Sequence, residues 1–453
     1  MKKIILLMLA AGMLAMTGCT GDTSSGSGTS SPVVSDSENI SDNHDNSDSS
    51  DGSDSKTDSD QAQTADVNSP ETEQSAPAEN IDYSSLSEDE IYRLMVERSL
   101  MTTGDMTRMA NVLKKAENGE EITVAYIGGS ITEGLTVSPE HPELCWANLS
   151  YEWLCGKYPD TKINYVNAGL SGTPSILGNL RLERDVLAYD PDICFVEFAV
   201  NDGNSTEYQN SYESLVRTLL TQDSDIAVVL LFTVLENGHS CQPFMSQIGN
   251  NYGLPMISEP DSLGVEFAEG RMTWQNYSDD QSHPNERGHE IVRDFVTNYF
   301  EKVMEKVDEN IGDVDKSLPA PVFSDRYMNM KFIDSASMEN VELTGFVENE
   351  THSAFRNGWM YKGEEDALLK FTLNCRALRL VYKANDSKMY ADAEIYVDGE
   401  QICTVSSNRS DGWNNPETAM ILDNDEPAEH TIEIKVPGGE KHYFGILGFG
   451  YCE

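Results

Sequence analysis

Four short stretches of this 453-residue chain hold residue types that could carry out acyl transfer if they met in space. They are Gly128-Gly129-Ser130-Ile131-Thr132, the run from Asn167 to Gly172, Ala199-Val200-Asn201-Asp202, and the run from Asp280 to Pro284 that contains His283. A serine hydroxyl is a weak nucleophile and needs an adjacent base. His283 is the candidate base for Ser130, and Asp280, three residues before it, can reach its Nδ1–H and hold the required tautomer. Asp279 is the alternative orienting carboxylate. Attack on an acyl carbon puts negative charge on the carbonyl oxygen. The backbone N–H groups of Ser130 and Gly172 and the side-chain amide of Asn201 could receive it as an oxyanion hole. One such donor is typically worth about 10²- to 10³-fold in rate, roughly 3–4 kcal/mol. Gly172 also has no side chain to block the acyl group.

Each stretch has a plain reading when taken alone: a turn, a helix start, an Asx cap, a helix entry. Their joint order and their places at strand ends carry the weight. Ile122–Ile127, Lys162–Asn167, Ile193–Phe198, Ile226–Phe232 and Leu254–Ile257 read as short apolar strands. Helical patterns alternate with them, at Leu144–Lys157, Ser175–Ala188, Tyr208–Leu220 and Met245–Tyr252, and Asn285–Val307 closes the series. Strands alternating with helices predict an α/β domain, a flavodoxin-like three-layer parallel sheet. With strand order 2-1-3-4-5, Ser130, Gly172 and Asn201 converge on the crevice where the winding reverses.

These four stretches resemble the sequence blocks of the SGNH hydrolases, the GDSL-like esterases and lipases. The Ser, Gly, Asn and His of that family match Ser130, Gly172, Asn201 and His283 in order, and its Asp matches Asp280 in a DxxHP arrangement. The resemblance spans about residues 122–307. It departs at Gly129, where the family name has Asp, and at Ala199-Val200, where Gly is common. It implies a carboxylic ester hydrolase with a Ser-His-Asp triad, and as substrate class an acetylated polysaccharide or oligosaccharide. A lipase, a thioesterase or a cell-wall O-acyltransferase is the alternative enzyme. A surface binding lipoprotein with an idle hydrolase fold is the alternative from another class.

The flanks set the context. Lys2 and Lys3, an apolar run from Ile4 to Met16, and Thr17-Gly18-Cys19 read as a secretory signal with a lipobox. Cys19 is thus the expected lipidation site, placing the protein in the bacterial cell envelope, lipid-anchored and extracytoplasmic. Ordinary secretion is the alternative. Residues 20–85 are rich in Ser and Asp, and from Gly21 on hold 15 acidic residues against Lys56 alone, the composition of a disordered tether. The hydrolase domain is expected at 86–310. After Ser317–Pro321, a linker signal, eight short strand candidates and no helix from about 320 to 453 predict an all-β sandwich, jelly-roll-like and carbohydrate-associated in type.

The net charge of −46 argues against nucleic acid as a partner, since phosphate binding needs clustered Lys and Arg. Without clustered His and carboxylate ligands no catalytic metal is expected, and the reaction class needs no cofactor. Trp274, Tyr277 and Trp146 are candidates for stacking on sugars, although Trp146 lies in a helical pattern and reads better as core. His239 and His289 read as surface or helix residues. Trp413 reads more readily as a loop aromatic than as a binding residue. Seven cysteines beside Cys19 form no CxxC pair, and Cys194 belongs to a buried strand.

Overall fold

A computed structural model describes residues 81–137, 140–349 and 352–453. The signal segment, Cys19 and nearly all of the acidic tether lie outside these residues. Folded structure begins slightly before Leu86: Tyr83 lies beneath the Arg271 guanidinium and its hydroxyl accepts from Arg98.

Helix α1 (Glu88–Arg98) starts at a capping box, Ser87 and Glu90 each accepting the other's backbone N–H. Leu100–Thr102 then forms β1, antiparallel to the last strand of the sheet. The strand owes its existence to that sheet edge, whose open N–H and C=O groups it covers. There follow α2 (Thr107–Glu117), β2 (Ile122–Gly128), α3 (Ser130–Glu133), α4 (Trp146–Lys157), β3 (Ile163–Gly169), α5 (Ser175–Asp185) and β4 (Ile193–Glu197). Next come α6 (Thr206–Leu220), β5 (Ala227–Phe232), α7 (Gln242–Asn251), β6 (Met256–Ser258), α8 (Leu263–Ala268) and α9 (Glu286–Met304).

The sheet order is β1-β6-β5-β4-β2-β3, which without β1 is the expected 2-1-3-4-5 arrangement. Strand β2 pairs in parallel with both β3 and β4. Alternate residues face opposite layers. Val124, Tyr126 and Phe195 pack toward α2, α4 and α9, while Ala125, Ile127, Cys194 and Val196 pack toward α5, α6 and α7.

The expected linker is pinned along this domain. The buried Glu213 carboxylate accepts the N–H groups of Val322, Phe323 and Ser324. The C-terminal domain is then built from β7 (Lys331–Ile333), β8 (Glu342–Thr344), β9 (Phe346–Asn349), β10 (Gly358–Lys362), β11 (Ala367–Asn385), β12 (Asp392–Val397), β13 (Glu400–Ser406), β14 (Trp413–Val436) and β15 (Tyr443–Cys452). All its ladders are antiparallel. Two expected strand pairs each turn out to be one long bent strand, β11 and β14, which pair along their whole length. The first half of β11 pairs with β8 and the second with β15, so the two long strands serve both layers of a β-sandwich.

The two domains share an apolar cluster. Leu177 and Leu180 of α5 pack against Tyr327, Met330, Ala377, Val381 and Leu447. Buried Arg379 of β11 pairs with Glu207 of α6. The seven described cysteines are free thiols. Among the described residues no helix is long and apolar enough to cross a membrane.

Candidate active site

Strand β2 ends at Gly128, and Ser130 opens α3, so its amide lies in a first helical turn that has no internal carbonyl to serve. Between them, Gly129 lies against the Asn201 side chain. A Cβ at position 129 would sit 2.1 Å from Asn201 Oδ1. A side chain at position 129 would therefore require Asn201 or the turn to shift.

The loop after α8 brings the base. His283 Nε2 lies 3.0 Å from Ser130 Oγ, and His283 Nδ1 lies 2.7 Å from Asp280 Oδ2. With Nδ1–H donating to the carboxylate, Nε2 is free to accept the serine hydroxyl's proton. Asp280 Oδ1 also accepts the N–H groups of Ser282 at 2.6 Å and His283 at 2.7 Å. Burial raises the Asp280 pKa, but the bonds from His283 and Ser282 outweigh it and hold the carboxyl at about 2. The loop is anchored by Trp274 Nε1 donating to Asp280 O, and by Thr136 Oγ1 donating to Pro284 O, both at 2.5 Å. Asp279 is exposed and accepts from Asn285 Nδ2 instead.

Gly172 has φ +69°, in the left-handed region that suits glycine. Its segment is tied to α3 by Glu133, whose Oε2 accepts both the N–H and the hydroxyl of Ser171. Asn201 follows β4 and is 3.0 Å from Phe198 O through its backbone N–H. Its neighbour Asp202 accepts the N–H of Ser175, the first residue of α5, at 2.7 Å. Burial pushes the Asp202 carboxyl up to about 8, and that of Glu259 likewise to about 8.

The five expected residues thus come together: Ser130, Asp280 and His283 in one hydrogen-bonded line, with Gly172 and Asn201 beside the serine. Ser130, Gly172, Asn201 and His283 line a cleft of about 450 Å³ with Leu135, Val200, Leu235 and Trp413. Trp413 enters from the other domain, at the start of β14. It is 54 % exposed, and its Cζ2 lies 2.8 Å from where a Gly172 Cβ would be. Trp146 is core, as its helical pattern suggests, whereas the stacking expectation for Trp274 and Tyr277 is overturned: both are buried in the core of the first domain. His239 lies half-buried in a loop, and His289 is buried within α9. Burial holds the His289 imidazole down at about 4. Among the described residues no group of three or more His, Cys, Asp or Glu is placed to hold a metal ion.

Sequence reasoning passed over the buried carboxylates beneath the site, Glu197, Asp202 and Glu259. An acidic residue ending the apolar run from Ile193 to Val196 is the signal that could have exposed Glu197.

Residues 126–291 match the model of the GDSL-like lipase/acylhydrolase family. No curated sequence matches the chain directly. Among solved structures, a two-domain esterase active on acetylated mannans, co-crystallized with mannopentaose, is similar over 79 % of this chain and 98 % of its own. The identity is 28 % and the TM-score 0.71. A second structure of an esterase so described has 28 % identity and a TM-score of 0.73, covering 79 % of this chain and 99 % of its own. Residues 126–291 are therefore a hydrolase domain of the GDSL-like lipase/acylhydrolase family, joined here to a β-sandwich.

Proposed function

We propose that the protein is a serine esterase that removes acetyl groups from an extracellular polysaccharide, acetylated mannan being the first candidate. Ser130 Oγ gives its proton to His283 Nε2 and attacks the acetyl carbonyl carbon. The oxyanion accepts from the Ser130 and Gly172 amides and the Asn201 side chain. The sugar oxygen leaves with the proton from His283, and water then attacks the acetyl-enzyme by the same route, releasing acetate. Asp280 stays ionised throughout and stabilises the imidazolium. The observation that carries this reading is the Asp280–His283–Ser130 line, at 2.7 and 3.0 Å, opening on a cleft floored by Gly172 and Asn201. Similarity to a two-domain esterase active on acetylated mannans supports the substrate class. Trp413, half exposed over Gly172, offers an apolar plane to a sugar ring beside the reacting acetyl group.

Acetate release from acetylated mannan by the wild type, and none by Ser130→Ala, is the expected result. Equal release by both would reject the mechanism. The sequence at Cys19 supports placing this activity at the cell envelope on a lipid anchor. Cys19→Ala should then abolish incorporation of labelled fatty acid, and unchanged labelling would reject the anchor.

A further inference from the structure

Glu197, the last residue of β4, is 0 % exposed, like Ile193, Cys194, Phe195 and Val196 before it in the strand. Burying a carboxylate is costly unless its oxygens are met by donors. Here one of the two donors comes from the short helix that Ser130 opens. Oε2 accepts from Thr132 Oγ1 at 2.9 Å, two residues past Ser130. Oε1 accepts from Thr233 Oγ1 at 2.8 Å, at the end of β5. The fit is close: a Cβ on Gly128 would lie 2.8 Å from Oε2. The turn is held by the opposite charge elsewhere. Arg181 of α5, 1 % exposed, donates to Gly128 O at 3.0 Å and to Ala168 O at 2.5 Å.

We infer that Glu197 is a positioning residue for the ester hydrolysis, its carboxylate holding the Thr132 hydroxyl, and with it the short helix that Ser130 opens, so that the Ser130 amide and hydroxyl face the cleft. The inference rests on the reading of Ser130 as nucleophile. An acid that served only to satisfy buried hydroxyls would contribute to stability and leave the chemistry of the folded enzyme alone. A positioning group acts on the transition state, whose oxyanion must meet the Ser130 amide, and much less on substrate binding.

The test uses the full chain as wild type, Ser130→Ala, Glu197→Gln and Thr132→Val, with Thr132→Ser as the conservative variant that keeps the hydroxyl. The readouts are kcat and KM on an aryl acetate, and affinity for a trifluoromethyl ketone, which forms a tetrahedral adduct with the serine. For folded Glu197→Gln, kcat should fall about 10- to 100-fold, the scale of a small misplacement, with KM little changed and ketone affinity falling in parallel. Thr132→Val should lose kcat in the same sense, and Thr132→Ser should recover it. Folded Glu197→Gln with wild-type kcat overturns the inference. If Glu197→Gln does not fold, Thr132→Val decides: wild-type kcat there overturns the inference, as does a loss that Thr132→Ser shares. An inactive wild type, or an active Ser130→Ala, would instead overturn the nucleophile assignment and this inference with it.

Discussion

Asp280 does more than sit near a histidine. Its two oxygens are divided between jobs: Oδ2 faces the imidazole and Oδ1 takes the loop's own N–H groups. Asp280→Asn would keep the loop bonds and lose the tautomer control. It should lower kcat by about 10⁴-fold, the scale seen when such a carboxylate becomes an amide. Steady-state kinetics on an aryl acetate would check this, and a drop of less than tenfold would assign the orienting role elsewhere. Asn201→Ala removes one proposed oxyanion donor and should cost about 10²- to 10³-fold in kcat with KM little changed. A change confined to KM would place Asn201 in substrate binding instead.

The elements beneath the cleft carry a pH dependence opposite in sign to that of Asp280. Asp202 and Glu259 are held by burial at pKa values of about 8. An acid raised in this way binds a proton in the folded state that the unfolded chain has lost. Stability therefore falls as pH rises from about 4 to 8 and levels off above that. Asp280 has the opposite sign, its contribution present above about pH 4 and lost as pH falls toward 2. Melting temperature should thus be highest near pH 4–5 and decline toward pH 8, more shallowly in Asp202→Asn. Parallel slopes for the two proteins would show that Asp202 is ionised in the fold.

Much at this scale was legible because strand-end motifs are short-range. Gly128–Thr132 and the run from Asp280 to Pro284 each signal a turn locally, and the alternation of strands and helices fixes which sheet edge they share. What was not legible depends on partners. The three residues of β1 have no periodicity of their own and exist because β6 offers an edge. The polar residues around Asn374–Arg376 and Asp423–Glu429 look like strand breaks, yet the ladder from Cys375↔Ala428 to Ala377↔Asp423 runs on past a bulge. Trp413 reads more readily as a plain loop aromatic, since its place over Gly172 arises only when two domains pack.

That packing makes the two domains one molecule. Leu177 and Leu180 are covered by the sandwich, and Arg379 is buried against Glu207. A chain ending near residue 310 should expose this apolar face, melt at lower temperature and self-associate. A truncated protein that stays monomeric with the full-length melting temperature would show that the interface contributes little. Trp413→Ala, which leaves the interface intact, should raise KM on the polysaccharide while aryl acetate kcat stays within a few-fold. An equal effect on both substrates would mean that the indole serves the reacting centre itself.

Strand β15 is made after the other strands of the sandwich, yet it lies inside the sheet, between β11 and β10 and against β7. The α/β domain has all its strands once α9 is made, and domains generally fold as units. The sandwich is completed later: until residues 443–452 arrive, β11 and β10 have no common neighbour, and Trp413 has no settled platform. Ser130 and His283 are thus made early in the chain's life, and the wall that Trp413 forms beside them is completed later.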